Sequence, residues 1–134
     1  MIRLDHVGVA VRSIERAARF YVEGLGLVLD RVETVEDQGV RVGFLSVGDT
    51  DVELLEPTSE HGPVARFLEK HGEGIHHVCL EVPDVAAAME RLRQHGARLL
   101  SDRLSPGAGG RLVAFVHPRS ANGVLVELSQ KPGS

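Results

Sequence analysis

Between Ile2 and Val11 apolar positions recur at every second residue. Val7, Val9 and Val11 fall on one face of an extended chain, and His6, Gly8 and Ala10 on the other. The second face carries one imidazole and then small residues, which leaves room beside it. After Val11 the period changes: Ile14, Ala17, Ala18 and Tyr21 recur at the spacing of an amphipathic helix, with Ser13 as its N-cap and Gly24 and Gly26 at its end. Leu27 to Val35 and Val40 to Ser46, rich in Val, Leu and Phe, read as strands about the turn Glu36-Asp37-Gln38-Gly39. Gly48-Asp49-Thr50 makes the next turn. Asp51 to Pro57 is then a short strand stopped by proline, with Glu53 facing away from Val52 and Leu54. This unit reads strand, helix, three strands.

At Gly74 the chain writes the same pattern again. With His77 set on His6, an offset of 71, Val78, Leu80 and Val82 fall on Val7, Val9 and Val11, and Val85, Ala88, Met89 and Leu92 fall on the helical stripe. Asp84 takes the capping place of Ser13, Gly96 ends the second helix, and Phe115 falls on Phe44. Ala97 to Arg103 and Arg111 to His117 are the expected strands around the loop Ser105 to Gly110. Three extra residues in the turn Pro118 to Gly123 then bring Glu127 onto Glu53. Thr58 to Gly72 belongs to neither copy. Pro63, Val64, Phe67, Leu68 and Gly72 mark a linking helix with Pro in its first turn and Gly past its end. The expected organisation is one α+β domain of two tandem βαβββ modules, module one about 1–57, the linker about 58–73 and module two about 74–134.

Composition narrows the class. The chain has 134 residues, 43% hydrophobic and 25% charged, enough for a packed core. No apolar run has the length of a membrane span, and the start Met-Ile-Arg-Leu-Asp has no basic stretch followed by an apolar one, so the expected address is cytoplasmic. Cys79 is the single cysteine, which excludes an internal disulfide. A net charge of −4 argues against general nucleic-acid binding, because that depends on Lys and Arg neutralising phosphates, and it leaves room for a local basic patch.

Each module begins with a His on its first strand and ends with a Glu on its last. If the modules pack about a pseudo-twofold axis, His6, Glu53, His77 and Glu127 converge, and two imidazoles with two carboxylates suit a borderline divalent cation such as Zn, Co, Ni, Mn or Fe(II). Each of the four taken singly is an ordinary strand residue; the repeat is what joins them. His76 points to the opposite face from His77 and reads as a surface residue or a neighbour of the ligands. His61, His71, His95 and His117 read as surface residues. Cys79 reads as packing and Glu81 as the outer end of its strand.

These residues resemble the vicinal oxygen chelate superfamily, which includes glyoxalase I, extradiol dioxygenases and fosfomycin-resistance proteins. Within it the likeness is to the methylmalonyl-CoA epimerase family. It rests on Leu4-Asp5-His6-Val7, Asp37-Gln38-Gly39-Val40, Glu53 to Pro57, Gly74-Ile75-His76-His77, His117-Pro118-Arg119 and Gly123 to Leu128. The resemblance implies a glyoxalase-like fold, its mixed sheet curled around one divalent metal (Co, Mn, Ni, Zn or Mg), in a chain that pairs as a homodimer. It implies epimerisation of an acyl-CoA at C2, with His6, Glu53, His77 and Glu127 as ligands and Glu127 also as an acid/base. Gln38 is implied as a substrate contact by family position. Arg111 and Arg119 are the cations available for the CoA tail. A glutamate that some members carry three residues beyond the Gln-Gly pair is Val42 here, so the second proton falls to Glu36 or to a water molecule. The competing expectations are a glyoxalase-type lyase or isomerase acting on a thiol adduct, and a module that sequesters a small drug. A dioxygenase is disfavoured by the fourth protein ligand.

Overall fold

A computed structural model describes residues 1–133; Ser134, the last residue of module two, lies outside the described residues. Contacts divide the chain into two compact units, His6–His76 and Met1–Asp5 with His77–Ser134.

In the first unit, β1 (Arg3–Ala10) leads to α1 (Ile14–Ala18), then β2 (Leu29–Val35), β3 (Val40–Val47) and β4 (Thr50–Pro57). The strand order is β2-β3-β4-β1, with β1 parallel to β4 and the other pairs antiparallel. Ser13 caps α1 by accepting from Arg16 N at 3.2 Å, as its sequence position predicts. The helix does not stay regular to its glycines. From Arg19 to Gly24 it widens into a π turn, in which Leu25 N donates to Phe20 O at 2.9 Å. The extra residue turns both Tyr21 and Val22 toward the core of Val11, Ile14, Leu45 and Leu54.

Gly43 lets α1 approach the sheet closely: a Cβ there would lie 3.2 Å from both Ile14 Cγ2 and Leu29 Cδ1. The linker forms α2 (Pro63–His71), with Pro63 in its first turn and Gly72 at φ 78 past its end.

The second unit holds β5 (Gly74–Glu81), α3 (Val85–Gln94), β6 (Ser105–Pro106), β7 (Leu112–Val116) and β8 (Val126–Gln130), in the order β5-β8-β7-β6. Its sheet is again mixed, with β5 parallel to β8. The repeat reaches the level of single hydrogen bonds. Ile14 N donates to Glu56 at 2.9 Å and Val85 N to Gln130 at 2.9 Å; Val11 N donates to Leu55 O, and Val82 N to Ser129 O. The second core, Val82, Val85, Met89, Ala114, Val116 and Leu128, again lies between one helix and one face of the sheet. The alternation in β1 and β5 therefore resolves into a helix-covered face and a helix-free face carrying the histidines.

The expected strand from Ala97 to Arg103 does not form. Leu99 makes one isolated bridge to Val116, and the chain then turns away. Ser101 Oγ accepts from Arg103 N at 3.1 Å, a local bond that competes with a ladder, and pairing resumes only at Ser105–Pro106, where proline lacks an N–H. No helix among the described residues is long and apolar enough to cross a membrane.

If Gly43 is required for the approach of α1, Gly43→Val should cost about 1–3 kcal/mol of stability by overpacking. Chemical denaturation measures this, and the Val variant should unfold at a lower midpoint with an unchanged slope.

Candidate functional site

Register decides which side chains share the helix-free face. In the first unit Gly8 pairs with Glu53, and Glu53 with Phe44. In the second, Cys79 pairs with Glu127, and Glu127 with Phe115. Each Glu thus stands beside the residue two places beyond a His, on the face of that His. His6 Nδ1 lies 2.9 Å from Glu53 Oε2, and His77 Nε2 lies 2.9 Å from Glu127 Oε1. All four residues are only 5–6% exposed. The ring of His77 also meets Phe115 edge to face.

Two donors bound at right angles to a cation, at bond lengths of about 2.1 Å, stand about 3.0 Å apart. Each His–Glu pair therefore fits one edge of the coordination shell of a divalent metal, with an imidazole nitrogen and a carboxylate oxygen as donors.

The other expected site residues behave differently. Arg111 enters an internal ion network: Nη2 lies 3.3 Å from Asp5 Oδ1, and Nη1 donates to Glu81 Oε1 at 3.1 Å and to Ser129 Oγ at 3.2 Å. Arg3 donates to Glu81 at 3.2 Å, and Lys131 approaches it at 3.9 Å, so three cations gather around Asp5 and Glu81. Glu81 pairs with Ser129 in the row next to that of Glu127 on the same face, and successive same-face rows are about 7 Å apart. Glu81 is the last residue of β5, as expected, and it is also the hub of this network. The sequence signal was there, since Glu81 shares the parity of His77, but the partners Arg3 and Asp5 come from the far end of the chain.

Gln38 lies in the 3-10 turn Glu36–Gln38 before β3. Its Nε2 is buried and has no hydrogen-bond partner among the described residues. A buried donor in that state needs an acceptor from outside the chain, a water or a ligand oxygen. Glu36 and Arg119 are exposed. Of the other histidines, His71 lies tilted against Phe67, His76 meets the same ring edge to face, and His117 Nδ1 accepts from Arg119 N at 3.0 Å. A groove of about 600 Å³ lined by Val9, Val11, Arg12, Tyr21 and Glu73 opens on the helix side of the first unit, away from His6 and Glu53.

The model of the Glyoxalase/Bleomycin resistance protein/Dioxygenase superfamily matches residues 5–115. The ethylmalonyl-CoA/methylmalonyl-CoA epimerase of Cereibacter sphaeroides is 46% identical over 130 residues, 96% of this chain and 97% of that protein. The chain belongs to the methylmalonyl-CoA epimerase family of this superfamily. Its mixed α+β architecture is the glyoxalase-like fold of these epimerases. The mitochondrial methylmalonyl-CoA epimerase of Mus musculus is 43% identical over 129 residues, 96% of this chain and 72% of that protein. Among solved structures, a variant of the Streptomyces coelicolor methylmalonyl-CoA epimerase in complex with 2-nitronate-propionyl-CoA superposes with a TM-score of 0.91. It is 35% identical and covers 98% of each chain.

Replacing Arg111 by Met should lower stability by about 2 kcal/mol, because Asp5, 8% exposed, and Glu81 each lose a charge-assisted partner. Urea unfolding should show the lower midpoint in the absence of any ligand.

Proposed function

We propose that the chain interconverts the (R) and (S) forms of methylmalonyl-CoA by removing the C2 proton from one face and returning it to the other. The observation that carries this is the duplicated His–Glu pair, with the same separation and the same strand register in both modules of a member of the epimerase family. His6, Glu53, His77 and Glu127 are proposed as ligands of one divalent cation, Co, Mn, Ni, Zn or Mg, with the mixed sheet curled around it. Bound there, the cation would supply Lewis-acid stabilisation for the negative charge that builds on the thioester oxygen as C2 loses its proton.

The chain's own groups do the rest. Glu127, buried and beside His77, takes the proton from C2. The small side chains of Gly8 and Ala10 on the His6 face leave space for the acyl group. Gln38 Nε2 donates to a substrate oxygen, which supplies the partner it lacks within the chain. Arg111, with Arg3 and Lys131 around it, presents an excess of positive charge to the anionic acyl-CoA. A planar C2 carbanion protonated again from the Glu127 side regenerates the starting epimer, so the reaction needs a second proton donor. We place the enzyme in the cytoplasm as a homodimer, a pairing that would cover exposed sheet edges.

Incubation with methylmalonyl-CoA in D₂O tests the reading. Wild-type protein should exchange the C2 proton, a chelator should abolish exchange, and one added divalent ion should restore it. Glu127→Gln should slow exchange by about 10²–10⁴-fold if its carboxylate carries the proton. Saturable ligand binding with no exchange would show a sequestering module instead, and full exchange after chelation would remove the cation from the reaction.

A further inference from the structure

The second proton donor can be sought in the strand register of the first module. We propose that Glu33 on β2 is the acid/base that serves the face of C2 opposite to Glu127, an inference that rests on the epimerase reading.

Directly opposed residues in neighbouring strands project to the same face. One row of the helix-free face runs Gly8, Glu53, Phe44, Arg31, and the next runs Ala10, Leu55, Val42, Glu33. Glu33 therefore shares the face of His6 and Glu53. It is the one group in its row able to carry a proton. Asp51, the other carboxylate of β4 with this parity, pairs with His6 itself, on the far side of Glu53 from the small residues Gly8 and Ala10. Glu36 lies in the 3-10 turn, outside the sheet rows, and is exposed.

Neighbouring contacts hold Glu33 over this face. The Arg31 guanidinium lies 3.8 Å from the centroid of Phe44, the residue opposed to Glu53, and Arg31 Nη2 lies 3.8 Å from Glu33 Oε2. Arg31 thus draws the carboxylate toward the row of the His6–Glu53 pair. Opposed side chains start about 5 Å apart, so a glutamate opposite the short Val42 has the length to reach across it. The Glu33 side chain is 35% exposed, and it can exchange its proton with solvent between turnovers.

The step balances. The Glu127 carboxylate takes the C2 proton, and the C–H electron pair moves into the C1–C2 bond as charge builds on the thioester oxygen. Glu33 in its acid form gives its proton to the other face of C2, and the electron pair returns to the new C–H bond. One C–H bond breaks, one forms, and one proton passes from Glu33 to Glu127. The opposite epimer runs the same exchange backwards.

The test separates the two faces. Each epimer of methylmalonyl-CoA is incubated in D₂O with wild-type protein and with Glu33→Gln, and deuterium at C2 and interconversion of epimers are followed by mass spectrometry and NMR. Glu33→Gln should slow interconversion by about 10²–10⁴-fold and should keep fast exchange for one epimer alone, the one whose proton faces Glu127. Thermal midpoint and metal content should match the wild type. Fast exchange of both epimers with normal interconversion overturns the assignment to Glu33, as does loss of exchange for both. Wild-type protein that exchanges neither epimer overturns the epimerase reading itself, an outcome distinct from either.

Discussion

The structure depends on placing a carboxylate beside an imidazole on the helix-free face of a sheet, twice. Burying both groups carries a desolvation cost that is recovered only when each has a partner at close range. Parallel pairing provides the range: β1 against β4 sets Gly8 opposite Glu53, and β5 against β8 sets Cys79 opposite Glu127. A residue with no bulk, or the small thiol of Cys79, stands beside each carboxylate, so the histidine two places away can reach it. The helices have to lie on the opposite face for this to work. Both helices are tied there by equivalent bonds, from Ile14 N to Glu56 and from Val85 N to Gln130.

Beyond the His–Glu pairs the modules diverge, and they do so in corresponding rows. Ala10 in module one corresponds to Glu81 in module two, and Val40 to Arg111. Module one therefore leaves space beside its pair, whereas module two fills the same place with Arg111, Glu81 and their partners. The duplicated scaffold fixes the two His–Glu pairs, and the substitutions around them give each pair different surroundings.

The strand, helix, three-strand unit, the caps Ser13 and Asp84, the linking helix and the repeated His and Glu that form the two pairs were legible because each follows from a period or a local rule. The failures have physical causes. The strand expected at Ala97–Arg103 had strand-like composition but lost its ladder to the turn at Ser101. The π turn after Ala18 leaves no mark in the apolar spacing, since Ala18, Tyr21 and Val22 are all tolerable on the inner side. Arg111 was legible as a cation near the site. Its commitment to Asp5 and Glu81 was not, because salt bridges between residues far apart in the chain are a product of packing rather than of pattern.

Glu33 shows why catalysis is harder to read than ligation. A metal treats equivalent donors alike, so a duplicated sequence can announce its ligands by repeating them. The proposed substrate, methylmalonyl-CoA, has a carboxylate at one end and a long tail at the other, and its two C2 faces are not equivalent. The groups that meet those faces need not repeat, and Glu33 corresponds in number to Leu104, which carries no proton. Its relevance comes from the bulge between Leu29 and Arg31, which shifts the register so that Arg31 opposes Phe44 and Glu33 opposes Val42. Without that one-residue shift, Arg31 and Glu33 would turn to the helix-covered face, because a slip of one residue reverses every side chain that follows. The position of the proposed second proton donor is therefore set by an irregularity in a strand, and that is information the alternation of residues does not carry.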